Sequence, residues 1–260
     1  MVSESPGRNG SEPRGGLEIK MIRRPNPWCT GEGSMKRRRL TEEAFHSGGV
    51  ISPMLSNMYL NEVDRMLERA KEATCREGVS GIEYARFADD LVVLVSSDPW
   101  HDWLQKGVGK RLREELAKLE VEVNEEKSRK VLTQGGSFGF LGFEFRRILS
   151  RRGRWMPLHT PKSKKRTALL RKLKAVFRRH RSQPVRGLIA EINPILRGWV
   201  NYFAVGNSSN CFSYIRDWVD KKVRRHLARA CQRKGFGWKR WNRKWIYGTL
   251  GLFNEYRVSW

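Results

Sequence analysis

The sequence predicts an α+β region followed by an all-α, strongly basic domain, and three observations carry that expectation. Strand-like runs alternate with amphipathic helical patterns as far as about residue 150. Beyond it, apolar residues recur at helical spacing in three long segments, about 163–180, 184–205 and 211–232. Charge divides at the same place: residues 1–150 hold 24 Lys+Arg and 23 Asp+Glu, whereas residues 151–260 hold 28 and 4. The last 110 residues therefore carry +24 of the net +25, and seven of the ten tryptophans.

The elements follow in order. Residues 1–45 are rich in Gly, Pro, Ser, Arg and Glu, with a basic cluster at Lys36–Arg39, and read as a disordered leader. Ser52-Pro53 is an N-cap and first-turn pair for a helix over Met54–Ala70, where Leu55, Met58, Tyr59, Val63, Met66 and Leu67 share a face. A β-hairpin covers 82–96, and a second amphipathic helix 101–119 carries Trp103, Leu104, Val108, Leu112, Leu116 and Leu119 on one side. Short strands follow at 121–123, 129–133 and 138–148, the last two around Gly135-Gly136. Pro157 and Pro161 mark a linker, which sets a leader at 1–45, an α+β domain at 46–150 and a basic helical domain at 151–260.

Two features carry chemistry. Asp89 and Asp90 lie between two apolar, β-branched runs, at or beside the bend of the hairpin. Adjacent anions repel by about 1 kcal/mol in water and about 4 kcal/mol in a surface dielectric, so a divalent cation such as Mg²⁺ is their natural partner. The basic half, with its interleaved aromatics, suits a phosphate backbone and unstacked bases. Trp238, Trp241 and Trp245 can stack on such bases or pack into a helical core. Cys29, Cys75, Cys211 and Cys231 form no C-x-x-C pair, which argues against a zinc site or disulfide framework and fits a reducing compartment. No apolar run of membrane-spanning length and no hydrophobic secretion core occur, so no membrane partner is expected.

Five blocks, in order, resemble group II intron-encoded reverse transcriptase/maturases. They are Gly48-Gly49-Val50-Ile51-Ser52-Pro53 running on to Leu60, Tyr84-Ala85-Arg86-Phe87-Ala88-Asp89-Asp90, Asn124-Glu125-Glu126-Lys127-Ser128, Phe140-Leu141-Gly142-Phe143, and Ile195-Leu196-Arg197-Gly198-Trp199-Val200-Asn201-Tyr202-Phe203. The resemblance covers about 46–260. It implies a partial reverse-transcriptase palm, β-hairpins packed on helices, followed by an all-α maturase or thumb domain. Asp89 and Asp90 would help bind two Mg²⁺ ions for in-line phosphoryl transfer. Gly48, Gly49 and Phe87 would contact template or nucleotide, and Phe140, Leu141, Gly142 and Phe143 would form the hairpin that holds the primer end. Lys162, Lys164, Lys165, Arg166, Arg171, Lys172, Arg197, Arg224 and Arg225 would contact RNA phosphates.

The implied partners are group II intron RNA, an RNA template/DNA primer duplex and dNTP, in a bacterial cytoplasm or an organelle. The family's palm takes a third carboxylate from a strand before the Gly-Gly block, yet no Asp precedes Asp64, which falls on the helix after that block. Relative to the family the chain reads as N-terminally truncated, and a companion fragment supplying the fingers and that acid is a further expected partner. The activities weighed are RNA-directed DNA synthesis, non-catalytic RNA binding for splicing, and an inactive remnant of a mobile element.

Overall fold

The computed structural model describes residues 16–18, 22–23, 57–76, 79–96, 102–126, 128–133 and 135–259. It mixes helices with small antiparallel sheets, the α+β class expected. The chain divides into two compact units, Met1–Phe140 with Leu149–Trp155, and Leu141–Ile148 with Met156–Trp260.

In the first unit the strands are β1 (Gly16–Glu18), β2 (Ile22–Arg23), β3 (Cys75–Arg76), β4 (Val79–Ser80), β5 (Ile82–Phe87), β6 (Asp90–Val95), β7 (Glu122–Val123), β8 (Arg129–Val131) and β9 (Ser137–Phe140). Its helices are α1 (Asn61–Ala73) and α2 (Asp102–Lys118). The main sheet has the order β5-β6-β1-β8. β5 and β6 pair in register from Ile82↔Val95 to Phe87↔Asp90, leaving Ala88 and Asp89 as a two-residue turn. Alternation along β6 decides what each face does: Leu91, Val93 and Val95 are buried against Val63, Met66 and Leu67 of α1 and Leu104, Val108, Leu112 and Leu116 of α2. Each such side chain contributes about 1.5–3 kcal/mol of burial. Asp90 and Val92 consequently face the other way.

Two strands lie in the segment expected to be disordered. β1 pairs antiparallel with β6 (Gly16↔Leu94, Leu17↔Val93) and with β8 (Glu18↔Arg129), and β2 pairs with β7 (Ile22↔Val123). A strand of two or three residues leaves no periodic trace in sequence, and its hydrogen bonds all come from distant partners. The helix expected over Met54–Ala70 is broken: residues 57–59 are helical, a turn at Leu60 interrupts, and α1 runs on from Asn61, while Ser52, Pro53 and the residues up to 56 lie outside the described residues.

The second unit begins in β10 (Phe143–Leu149), continues through β11 (Trp155–Pro161), and is dominated by α3 (Ser163–Arg179), α4 (Val185–Tyr202) and α5 (Ser209–Ala230). Pro157 and Pro161, expected in a linker, fall in β11; an edge strand tolerates prolines because its outer N–H groups are not needed for pairing. The chain passes between the units at Phe140/Leu141, Ile148/Leu149 and Trp155/Met156, and the Leu141–Ile148 segment belongs with the helices because Phe143 packs on them: its ring lies 5.0 Å, edge to face, from that of Phe203. Leu169, Leu173 and Val176 of α3, Leu188, Ile192, Leu196 and Val200 of α4, and Phe212, Ile215, Val219 and Val223 of α5 meet in one core. The tail closes it with Trp241, Ile246, Leu252 and Phe253. Asn193 pins that tail to α4, its amide donating to the Gly251 carbonyl (2.8 Å) and its oxygen accepting from Phe253 N–H (2.9 Å).

His226 is buried in this unit, 3.3 Å from the Gln183 carbonyl. Burial holds its pKa below the ordinary 6.5, opposed by that carbonyl. The unfolded chain therefore binds the proton more readily, and the stability His226 contributes is present above about pH 6.5 and lost as pH falls below it. Urea unfolding compared at about pH 7 and pH 5 should show the decline, and His226→Gln should reduce it.

Candidate active site and nucleic-acid interface

The turn of the β5–β6 hairpin sets the two acids. Ala88 has φ +53°, and Asp89 is not among the positive-φ residues, the pattern of a II′ turn in which the first central position favours glycine. An alanine there costs about 1–2 kcal/mol. Ala88→Gly should raise the unfolding midpoint of the palm unit by an amount equal to about 0.5–1 kcal/mol, after the glycine's greater unfolded freedom is subtracted. A measured loss of stability would contradict this description of the turn.

Asp89 is exposed at the tip and Asp90 opens β6. Asp90 Oδ1 is shut off from solvent and has no hydrogen-bond partner. A buried carboxylate oxygen without a donor is costly, and a bound cation would satisfy it, so this residue pair fits a divalent metal. Among the described residues no three His, Cys, Asp or Glu side chains come together. Phe87 pairs with Asp90 and is 63% exposed beside it, while Gly48 and Gly49 lie outside the described residues.

Arg86 holds the turn from behind. Its Nε donates to Asp64 Oδ1 (2.8 Å), Nη2 donates to Asp64 Oδ2, and Nη1 donates to Asn57 Oδ1 (2.9 Å) and the Ala88 carbonyl (3.0 Å). Asp64 is thus committed to Arg86 and not to a metal. Tyr84, on the same face as Arg86, donates its hydroxyl to Glu68 (3.0 Å), and burial together with that carboxylate pushes its pKa up to about 12.

The four residues expected to hold a primer end divide. Phe140 is buried, and Phe143 packs against Phe203 and Tyr202. Leu141 and Gly142 form a half-exposed turn whose carbonyls accept from Tyr202 Oη and Lys162 N–H, both at 2.9 Å.

In the second unit α3 starts with no acid and three cations, Lys164, Lys165 and Arg166, in its first turn. These add to the positive end of the helix dipole, an arrangement that favours an anion. Lys162 is half-buried just before the helix, Arg166 lies over the Tyr214 ring at 4.8 Å, and Arg171, Lys172, Arg197 and Arg225 are exposed. Arg146, Arg166, Asn207, Asn210 and Tyr214 line a cleft of about 690 Å³.

Arg224 corrects the expected phosphate contacts. It is 1% exposed, its Nε donates to the Trp241 carbonyl (2.9 Å), and Nη1 lies 3.5 Å from Asp220 Oδ2. Buried inside a network, it has no access to RNA. The sequence reading also missed a cluster. Burial holds the Lys222 pKa below its ordinary value, helped by the cations of Arg225, Lys174, Arg229 and Arg178. Lys222, Arg225 and Arg229 recur at i, i+3 and i+7 on α5, the spacing that would have revealed a shared face. Three of the four acids beyond residue 150 are spent on neighbours: Glu191 on Arg179 and His180, Asp217 on Arg243, and Asp220 on Arg243 and Arg224.

Among the described residues no helix is long and apolar enough to cross a membrane. No curated protein matches the chain. Residues 19–145 match the reverse transcriptase (RNA-dependent DNA polymerase) family, and residues 166–247 match the group II intron, maturase-specific domain. The first match contains the Asp89-Asp90 hairpin and the second contains α4, α5 and the cation cluster, and the two in this order make the chain a member of the group II intron reverse transcriptase/maturase family.

Proposed function

We propose that the chain binds group II intron RNA through its helical unit and that its palm directs RNA-templated DNA synthesis. The observation that carries the catalytic half is the solvent-excluded, partnerless Oδ1 of Asp90 at the tip of the hairpin. Asp89 and Asp90 would hold Mg²⁺. When bound, the metal supplies charge neutralisation at the transferring phosphoryl group and lowers the pKa of the attacking hydroxyl. Arg86 keeps the turn that bears both aspartates in place, and Phe87 lies beside Asp90 where a nucleotide base or sugar can rest.

Support for RNA binding is the cation cluster around Lys222 and the cationic first turn of α3, which repel within the protein and are relieved by phosphate. Non-catalytic RNA binding for splicing is the second reading, favoured by the lack of three clustered metal-ligating side chains among the described residues.

Primer extension on an RNA template with Mg²⁺ separates the two readings. Extension by the wild type, abolished in Asp89→Asn/Asp90→Asn, supports the polymerase. Isothermal titration with Mn²⁺ should show the same loss without any turnover. Filter binding across a salt series tests the shared RNA-binding element: log Kd should rise steeply with log salt, and Lys174→Ala or Arg178→Ala should each lower the slope by about 1. A flat salt response would defeat both readings.

A further inference from the structure

Trp238 stands apart from the other tail tryptophans. Trp241 is 6% exposed and Trp245 is packed against the core, whereas Trp238 is 50% exposed and outside that core. One face of its ring is taken: the Arg224 guanidinium lies 4.3 Å from the ring centroid. Arg224 is itself fixed by the Trp241 carbonyl and Asp220, so it backs the indole rigidly. Phe236 flanks the ring at 5.8 Å and carries Arg225 at 5.1 Å over its own ring. The loop packs tightly on the core beside the indole: Gly237 has φ +61°, and a Cβ there would stand 2.5 Å from the Trp241 ring. Around the indole, Arg233, Lys234, Lys239 and Arg240 are exposed, and no acidic residue occurs between Asp220 and Glu255.

We infer that Trp238 is a stacking platform for a single unpaired nucleobase of RNA, with Arg233, Lys234, Lys239 and Arg240 taking the adjoining phosphates. The inference rests on the RNA-binding reading and names one of its contacts. A guanidinium behind the ring draws electron density toward itself, which suits the outer face to an electron-rich purine. A base inside a duplex is already stacked on both sides, so only a bulged or looped base can use the platform.

The test uses the full-length chain and two RNA hairpins that differ only by one bulged 2-aminopurine. Wild type should bind the bulged hairpin more tightly and quench its fluorescence. Trp238→Ala should bind the bulged hairpin about tenfold more weakly, lose the quenching and bind the paired hairpin as wild type does. Trp238→Phe should restore most of the preference, and Lys239→Ala should weaken both hairpins alike. Equal loss for both hairpins in Trp238→Ala, or quenching that survives it, overturns the platform while leaving general RNA binding intact. Failure of wild type to bind either hairpin or intron RNA overturns the underlying reading as well.

Discussion

Asp220→Ala is expected to destabilise the helical unit by about 3–5 kcal/mol, a large part of what an ordinary domain has. Asp220 is 1% exposed on α5, and three groups depend on it. Its Oδ2 accepts from Arg243 Nε (3.0 Å) and lies 3.5 Å from Arg224 Nη1, and its Oδ1 accepts from Tyr247 Oη (2.6 Å). Removing the carboxylate leaves the Arg224 charge buried without a counter-ion and the Tyr247 hydroxyl without its acceptor. Burial and this carboxylate together raise the Tyr247 pKa. Urea unfolding followed by circular dichroism should show the loss. Asp217→Ala, whose partner Arg243 is half-exposed, should cost less than about 1 kcal/mol. Equal costs for the two variants would mean that Asp220 is not the hub described. Replacing the pair together, as Asp220→Leu/Arg224→Met, should recover much of the stability, because the cost comes from an orphaned charge.

Asp64→Ala should cost about 3–5 kcal/mol in the palm unit by the same reasoning, with a functional consequence added. Arg86 is 9% exposed in its side chain and joins Asp64 on α1 to the Ala88 carbonyl in the turn. Without Asp64 the guanidinium loses its tie to α1, and the turn that carries Asp89 and Asp90 loses the anchor that fixes its position. Mn²⁺ affinity should therefore fall in Asp64→Ala even at temperatures where the variant remains folded. Lys71 and Glu83, a pair with both side chains more than a third exposed, provide the contrast: Glu83→Ala should leave metal affinity unchanged and cost below about 1 kcal/mol. Retention of full Mn²⁺ affinity by folded Asp64→Ala would remove Arg86 from the positioning role assigned to it.

What the sequence made legible depended on the range of the interactions concerned. The hairpin, α2 and the three helices of the second unit stand close to their expected positions, because periodicity and turn chemistry are local signals. β1 and β2 were illegible, since three residues and two residues gain strand geometry only from partners elsewhere in the chain. Arg224 was misassigned because basic composition does not distinguish an inward from an outward position on α5. The spacing held the answer: Asp220 and Arg224 are four residues apart beside Val219 and Val223, on the stripe that also buries Phe212 and Ile215. Asp64 was legible as an acid unsuited to the metal, but its tie to Arg86 required tertiary structure.

The order of strands in the main sheet also bears on how this protein is made. β1 emerges from the ribosome first, yet Gly16 pairs with Leu94, which is 94 − 16 = 78 residues later. At about 5–20 residues per second, that strand waits roughly 4–16 s for its first neighbour and longer for β8. During that interval its hydrogen-bonding groups are open to any passing chain, so nascent palm units crowded on one messenger are exposed to mispairing until translation delivers the hairpin.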